Sequence, residues 1–443
     1  MRYDRKDMTK QTRTILFLFF LFLFILIAPA AAFYSQGYRF DFERKTLTQT
    51  GGFFLKAEPK QMEIYIDGKM VKKTDFFFGS ALVENLLPKK HKIEVRKKNY
   101  LIWEKNLEIR EKEVTEVKNL VLFPKNLNFN ILAKGVEDFW FSPDKKKIIL
   151  KETEEAPNED LVRGWGLKLY DLEKKIKSHL ISEREIYQSY ILPYQPPAKA
   201  GPPEVNLLNL EFLEDLKEIY LDVAMNEQEK KFALALDKLP PVLTEKTLPT
   251  EMLPENIVAS KKINNDLYYL DNSGYVLKNE LRLNETPFPV QLETKYALET
   301  FQDFLFLVAG ENLYLFYPES KAFEKIFEKI KYLKISPDNR KLVFFSNSEI
   351  WILFLRNERT KKAGEKLFLV RLSEKIGDVF WLNSDYLVFN SGNNLKIVEI
   401  DDRDRIQTWD IANFPNPEIY FNGNDRKLYI LSEGNLSASE KLF

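Results

Sequence analysis

One pattern limits what this chain can fold into more than any other. Phe139-Trp140-Phe141-Ser142-Pro143-Asp144-Lys145-Lys146-Lys147-Ile148-Ile149-Leu150 returns almost in register between Tyr332 and Phe345, around Ser336-Pro337-Asp338. Each copy is an apolar strand, a Ser-Pro-Asp turn, a basic rim and a second apolar strand. Proline presets φ for the first central position of a type I turn, and the Ser and Asp side chains can bond nearby amides. The two strands must therefore fold back on each other. Looser copies surround Asn383-Ser384-Asp385 and Asn422-Gly423-Asn424-Asp425. They lie 47 residues beyond Ser336 and then 39 further on, the spacing of propeller blades of roughly 40 to 50 residues.

Seven strand clusters can be counted on this basis, at 136–182, 206–238, 256–292, 296–326, 329–374, 377–410 and 415–443. They predict a β-propeller of about seven blades over 125–443, with six or eight also compatible. The stretch 121–132 is expected to supply an outer strand that closes the ring with the last blade. Two proline-rich segments, 193–203 and 239–254, interrupt the period. Proline cannot lie in a central strand, so both are expected as surface loops, either binding loops or extended connectors.

Ahead of the repeat, residues 1–14 carry Arg2, Arg5, Lys6, Lys10 and Arg13 against Asp4 and Asp7, and an apolar run follows from 15 to 34. Twenty such residues can cross a bilayer core as a helix, and the positive-inside rule leaves the basic tail in the cytoplasm with the remainder exported. The reading favoured is one uncleaved anchor in the cytoplasmic membrane. A cleaved signal peptide, cut near Ala30-Ala31-Ala32, is the alternative.

Residues 35–50 are polar and mixed in charge, and are expected to form a stalk. From 51 to 124 short alternating segments such as Met62-Glu63-Ile64-Tyr65-Ile66 and His91-Lys92-Ile93-Glu94-Val95, with an Asp67-Gly68 turn, predict a small antiparallel β-sandwich. Gly52, Pro59, Asp67-Gly68, Thr74, the run from Leu86 to Val95 and Lys98-Asn99-Tyr100 resemble the PEGA domain, a small exported β-domain of bacterial envelope proteins. That resemblance implies a non-catalytic spacer and binding module outside the membrane. The Ser-Pro-Asp hairpins resemble those of WD40-like and TolB-type β-propellers, without the Trp-Asp and Gly-His signatures of true WD40 repeats. The fold class expected is thus all-β, after one transmembrane helix.

Sixty-six basic residues balance sixty-six acidic ones, which leaves no global field to draw nucleic acid. With two histidines and no cysteine, most routes to zinc, thiolate chemistry or disulfides are closed. No Gly-x-Ser-x-Gly elbow, His-Glu-x-x-His pair or phosphate-cradling glycine loop occurs. His91 and His179 are read as structural. Asp401-Asp402-Arg403-Asp404 is read as a charged turn, since it lacks the glycine and distal glutamate of a calcium loop. The basic excess between Lys56 and Lys98 is read as a solvated strand face. No catalytic, cofactor or metal residue is assigned, and the partner-binding residues are left unknown.

The function expected is therefore binding or scaffolding of an envelope protein or glycan, without enzyme activity. The alternative is a carboxylate-dependent hydrolase of an envelope glycan. Three or more acids converging in the central channel with raised pKa values would point to the hydrolase, and an aromatic or mixed-charge face to binding.

Overall fold

The structure, a computed structural model, describes residues 10–154, 164–191, 205–213, 217–225, 228–238, 241–246, 256–263, 266–291, 293–358 and 361–443. Residues 1–9 of the basic tail, all of the proline-rich stretch 193–203, and 239–240 and 247–254 of the second proline-rich stretch lie outside them. The chain forms two compact units. The first comprises Met1–Asn126 with Asp401–Gln407 and Phe443, and the second comprises Leu127–Ile400 with Thr408–Leu442.

In the first unit a helix at Lys10–Ser35 exposes its apolar side chains all round, and none of its residues is buried. At 1.5 Å per residue its 26 residues span about 39 Å, long enough to cross a bilayer core. The stretch expected as a stalk folds as a hairpin, Tyr38–Asp41 against Thr46–Gln49.

Two sheets follow. One has three strands in the order Ser80–Leu86, Gly51–Glu58, Val114–Val121, and the other four in the order Lys69–Lys73, Glu63–Ile66, Lys90–Arg96, Trp103–Glu108. Alternation drives the burial: Phe53, Leu55 and Ala57 are buried while Lys56 and Glu58 are exposed. The Asp67-Gly68 turn forms as expected, with positive φ at both residues. The sandwich is not wholly antiparallel, because Gly51–Glu58 pairs with Val114–Val121 in parallel. The intervening chain passes through the other sheet, and a crossover of that length is what parallel pairing requires.

The second unit holds seven four-stranded antiparallel sheets among the described residues. Six of them run in chain order and begin with the strands Val136–Phe141, Val205–Phe212, Ile257–Ile263, Tyr296–Phe301, Tyr332–Ile335 and Ile376–Asn383. The seventh takes Glu418–Asn422, Lys427–Ser432 and Asn435–Ser439 from the C-terminal end of the chain and its outer strand, Phe129–Lys134, from some 300 residues earlier. First strands of successive sheets lie beside one another, as where Trp381 Nε1 donates to the carbonyl of Lys334 at 3.1 Å. This is the arrangement of a β-propeller. The closing strand lies at 129–134 rather than 121–132, because Val114–Val121 is engaged in the first unit.

At the seam between the last and first sheets Ala133, Val136, Ile148, Leu150, Tyr429, Leu431, Leu436 and Ala438 form one buried cluster. Both Ser-Pro-Asp turns close as their residues dictate. Lys145 N donates to Ser142 O at 2.7 Å and Asn339 N to Ser336 O at 2.9 Å, while each Ser hydroxyl donates to its Asp carboxylate at 2.6 Å.

Among the described residues of this unit one helix departs from the all-β pattern, at Glu183–Ile191. Ser182 and Glu185 make a reciprocal capping box: Glu185 N donates to Ser182 Oγ at 3.2 Å, and Ser182 N donates to Glu185 Oε2 at 2.6 Å. Of the second proline-rich stretch, Val242–Glu245 is an edge strand rather than a loop, a place where neighbouring prolines are tolerated.

Candidate functional site

The ionisable residues singled out from sequence are each engaged by nearby groups of the chain. His91 is buried, with Nδ1 2.7 Å from Asp67 Oδ2 and Nε2 2.8 Å from Leu87 O. His179 Nε2 lies 2.7 Å from Glu185 Oε2, beside the capping box. The segment Asp401–Gln407 folds within the first unit, where the buried Lys105 donates from Nζ to Asp401 O at 2.5 Å and Arg405 O at 3.0 Å. Burial pushes the Asp401 carboxyl up, but Arg403, donating at 2.6 and 2.9 Å, holds it below the usual range. Asp404 is held low chiefly by the amide of Asn106 at 2.7 Å. Asp401 and Asp404 are thus engaged with Arg403 and Asn106 within a docked turn. Among the described residues, no three His, Asp or Glu side chains are grouped to hold a metal ion. The basic excess of 56–98 is partly neutralised by Lys73–Glu63, Lys92–Glu94, Lys92–Glu104 and Arg96–Glu94 pairs.

A different set converges in the second unit, on the first strands of four consecutive sheets. Asp138 lies on Val136–Phe141, Asp378 on Ile376–Asn383, Glu418 at the start of Glu418–Asn422, and Lys334 on Tyr332–Ile335, with Lys331 just ahead of it. Bulges re-aim two of these strands. The ladder shifts between Val136 and Asp138, and again between Ile376 and Val379.

At the second bulge a Cβ on Gly377 would stand 2.2 Å from Asn390 Nδ2, so this position must lack one. Asn390 accepts from the amide of Asp378 at 2.6 Å and donates to Pro417 O at 2.9 Å. One buried amide side chain thus fixes the backbone at two of the three acids. Lys331 Nζ donates to Gly377 O at 2.6 Å and Lys334 Nζ to Val379 O at 3.0 Å, which brackets Asp378 between two ammonium groups.

The electrostatics follow from this crowding. Burial pushes the Asp138 carboxyl up, against an opposing hydrogen bond from the amide of Phe139 at 2.7 Å. Glu418 is also raised, first by burial of the carboxylate and then by the charges of Asp138 and Asp378, although the residue as a whole is exposed. Burial brings the Lys334 amine down to about 8, with Asp378 opposing that shift. Its Nζ lies 3.6 Å from the Phe380 ring centroid, a cation–π contact. Aromatic rings complete the patch: Phe141 stacks on Tyr420 at 4.0 Å, and Tyr420 meets Phe380 at 5.3 Å.

The three acids come from positions up to 280 residues apart, and no local motif marks them. A signal was present: each precedes the turn residue of its hairpin by four or five positions, 138 before Ser142, 378 before Asn383 and 418 before Asn422. Chemically, the arrangement favours the protonated form of two of its carboxyls relative to free ones, and can pair with a cationic or hydroxylated ligand and stack on a planar one.

No protein-family profile matches any part of the chain. No curated protein sequence matches it. Solved structures similar to it include the β-propeller domain of Cps50 (Swd1) from Myceliophteria thermophila, at 11% identity, covering 72% of this chain and 99% of that one with a TM-score of 0.36. Virginiamycin B lyase from Staphylococcus aureus is similar at 13% identity, 72% and 99% coverage and a TM-score of 0.38. YCF48 bound to D1 peptide is similar at 12% identity, 71% and 95% coverage and a TM-score of 0.35. With TM-scores this low, these likenesses carry no argument about activity or partners.

Proposed function

We propose that this is a membrane-anchored binding or scaffold protein of the cell envelope: one helix holds it in the cytoplasmic membrane, a PEGA-like sandwich acts as spacer, and a seven-bladed propeller outside the cytoplasm engages a protein or glycan. The observation that carries this reading is the composition of the converging site. Its three acids are interleaved with Lys331, Lys334 and the rings of Phe141, Phe380 and Tyr420, a mixed-charge and aromatic surface suited to recognition. Propellers commonly put such surfaces on a rigid scaffold.

The test is crosslinking capture from intact cells with the full-length protein and with the triple variant Asp138→Asn/Asp378→Asn/Glu418→Gln. The partners recovered with the native chain should be lost with the folded triple variant. Identical recovery would exclude the site as the binding surface. Carboxylate-dependent hydrolysis of an envelope glycan is the second reading, favoured specifically by the upward shifts of Asp138 and Glu418. Release of glycan fragments by the native chain and not by the triple variant would establish it in place of binding.

A further inference from the structure

We infer that the hairpin directly after the helix is a membrane-seated foot, with Phe40, Phe42 and Leu47 lodged in the boundary between lipid headgroups and acyl chains. This rests on the anchor reading above, because it needs the helix to remain in the bilayer.

Two residues separate the helix end at Ser35 from the first strand at Tyr38, so the hairpin must lie at the membrane surface if Lys10–Ser35 spans the bilayer. It is also clasped to the helix. Gly37 N donates to Tyr34 O at 3.2 Å, and Arg39 Nη1 donates to Tyr34 O at 2.9 Å with its guanidinium 3.6 Å from the Tyr34 ring centroid. The rings of Phe33 and Tyr38 meet at 5.4 Å.

The two faces of the hairpin differ sharply. Arg39 and Asp41 face the body of the unit: Arg39 donates to Asn85 Oδ1 at 2.7 Å, and the buried Asp41 carboxylate accepts from the amides of Glu43 and Arg44 at 2.9 and 3.1 Å. On the opposite face Phe40 pairs directly with Leu47, and Phe42 lies two residues further along with its ring 5.1 Å from Phe40. These three side chains are 48%, 49% and 83% exposed for Phe40, Leu47 and Phe42.

An apolar face on a two-stranded hairpin has no reason to persist in water, since such ribbons are marginal alone. Aromatic groups at headgroup depth are well accommodated there, and Arg44 and Lys45 at the hairpin tip suit lipid phosphates. A useful contrast is the other exposed aromatic cluster, Phe76, Phe77 and Phe78. It precedes the strand Ser80–Leu86 at the Ser80 end, whereas the foot adjoins the Leu86 end through Thr50 and Gly51, about 20 Å away along the strand.

The chain contains no cysteine, so single nitroxide labels can be placed without altering other residues. Full-length Phe22→Cys, Phe42→Cys, Leu47→Cys and Phe77→Cys would each be reconstituted in vesicles of phosphatidylethanolamine and phosphatidylglycerol. Accessibility to oxygen, which partitions into lipid, would be compared with accessibility to a water-soluble nickel chelate. Labels at 42 and 47 should show an oxygen-to-nickel ratio several-fold above that at 77, approaching the value at 22. A label at 42 that reads like 77 while 22 reads as lipid overturns the foot and leaves the anchor standing. Dipolar broadening at 42 with low access to both reagents would mean that a second copy covers the face, which also overturns it. An aqueous reading at 22 removes the anchor, and the foot with it.

Discussion

Leu436→Ala tests whether the ring is closed by pairing the last strands with a strand from ahead of the repeat. Leu436 is fully buried and belongs to the seam cluster with Ala133, Val136, Ile148 and Tyr429. Removing three carbons forfeits about 2.4 kcal/mol of transfer free energy at roughly 0.8 kcal/mol per carbon. If about 40 Å³ of the vacated volume stays empty, the cavity adds about 1 kcal/mol. The expected loss is therefore about 3.4 kcal/mol, inside the usual range for a buried Leu→Ala change. The assay is urea unfolding of the detergent-solubilised full chain, followed by tryptophan fluorescence. With a slope of roughly 3 kcal/mol per molar the midpoint should fall by about 1 M. The control is Leu281→Ala, at a leucine 68% exposed on an edge strand, which should change stability by less than about 0.5 kcal/mol. If both variants unfold at the same urea concentration, Asn435–Ser439 is not packed between its neighbours and the seam is wrong.

The raised Asp138 carboxyl means the fold favours its protonated form, so its contribution to stability is full below the unfolded carboxyl pKa and is lost as pH rises through the folded value. Asp138→Asn, which keeps an acceptor for the Phe139 amide, should raise the melting temperature at pH 7 and leave it unchanged near pH 4; an equal gap at both pH values would contradict this. Gly377→Ala drives a Cβ into Asn390 and should cost about 1–3 kcal/mol in thermal unfolding, with Gly377→Ala/Asn390→Ala costing less than the sum of the single changes. Strict additivity would show that the two residues do not compete for space. Lys341 is buried with Nζ 2.9 Å from Glu358 and 3.2 Å from Asp338, whose side chains keep some solvent contact. Lys341→Met should therefore cost less than Asp338→Asn/Glu358→Gln, which strands a buried ammonium at about 3–5 kcal/mol, and the reverse order in urea unfolding would refute that balance.

Much of the propeller was legible because its information is local. Ser142-Pro143-Asp144 and Ser336-Pro337-Asp338 specify their own turns, and the strands on either side are apolar enough to leave no competing structure. The strand ranges read from sequence accordingly overlap each of the seven sheets, although 206–238 stops short of the edge strand Val242–Glu245. Features decided by distant partners were not legible. Nothing in Val114-Thr115-Glu116-Val117 announces a parallel neighbour, and the hairpin at 38–49 reads as a polar linker because its buried face is made by Asp41 and Arg39 and not by apolar residues. The helix at Glu183–Ile191 did carry a legible start signal in Ser182-Glu183-Arg184-Glu185, masked by its position inside a run of strands. The site was the least legible feature. Asp138, Asp378 and Glu418 are ordinary single acids until the topology sets their strands side by side.

The first unit is not contiguous in sequence, and this bears on the order in which the protein can be made. Lys105 is enclosed with its ammonium turned toward carbonyls at Asp401 and Arg405, which leave the ribosome nearly 300 residues later. Until they arrive those two hydrogen bonds cannot form, so the early domain lacks part of its native bonding. Closing so large a loop costs only slightly more entropy than closing one half as long, because the penalty grows with the logarithm of length. The delay is one of time: the first unit can be completed only after Asp401–Gln407 has been made.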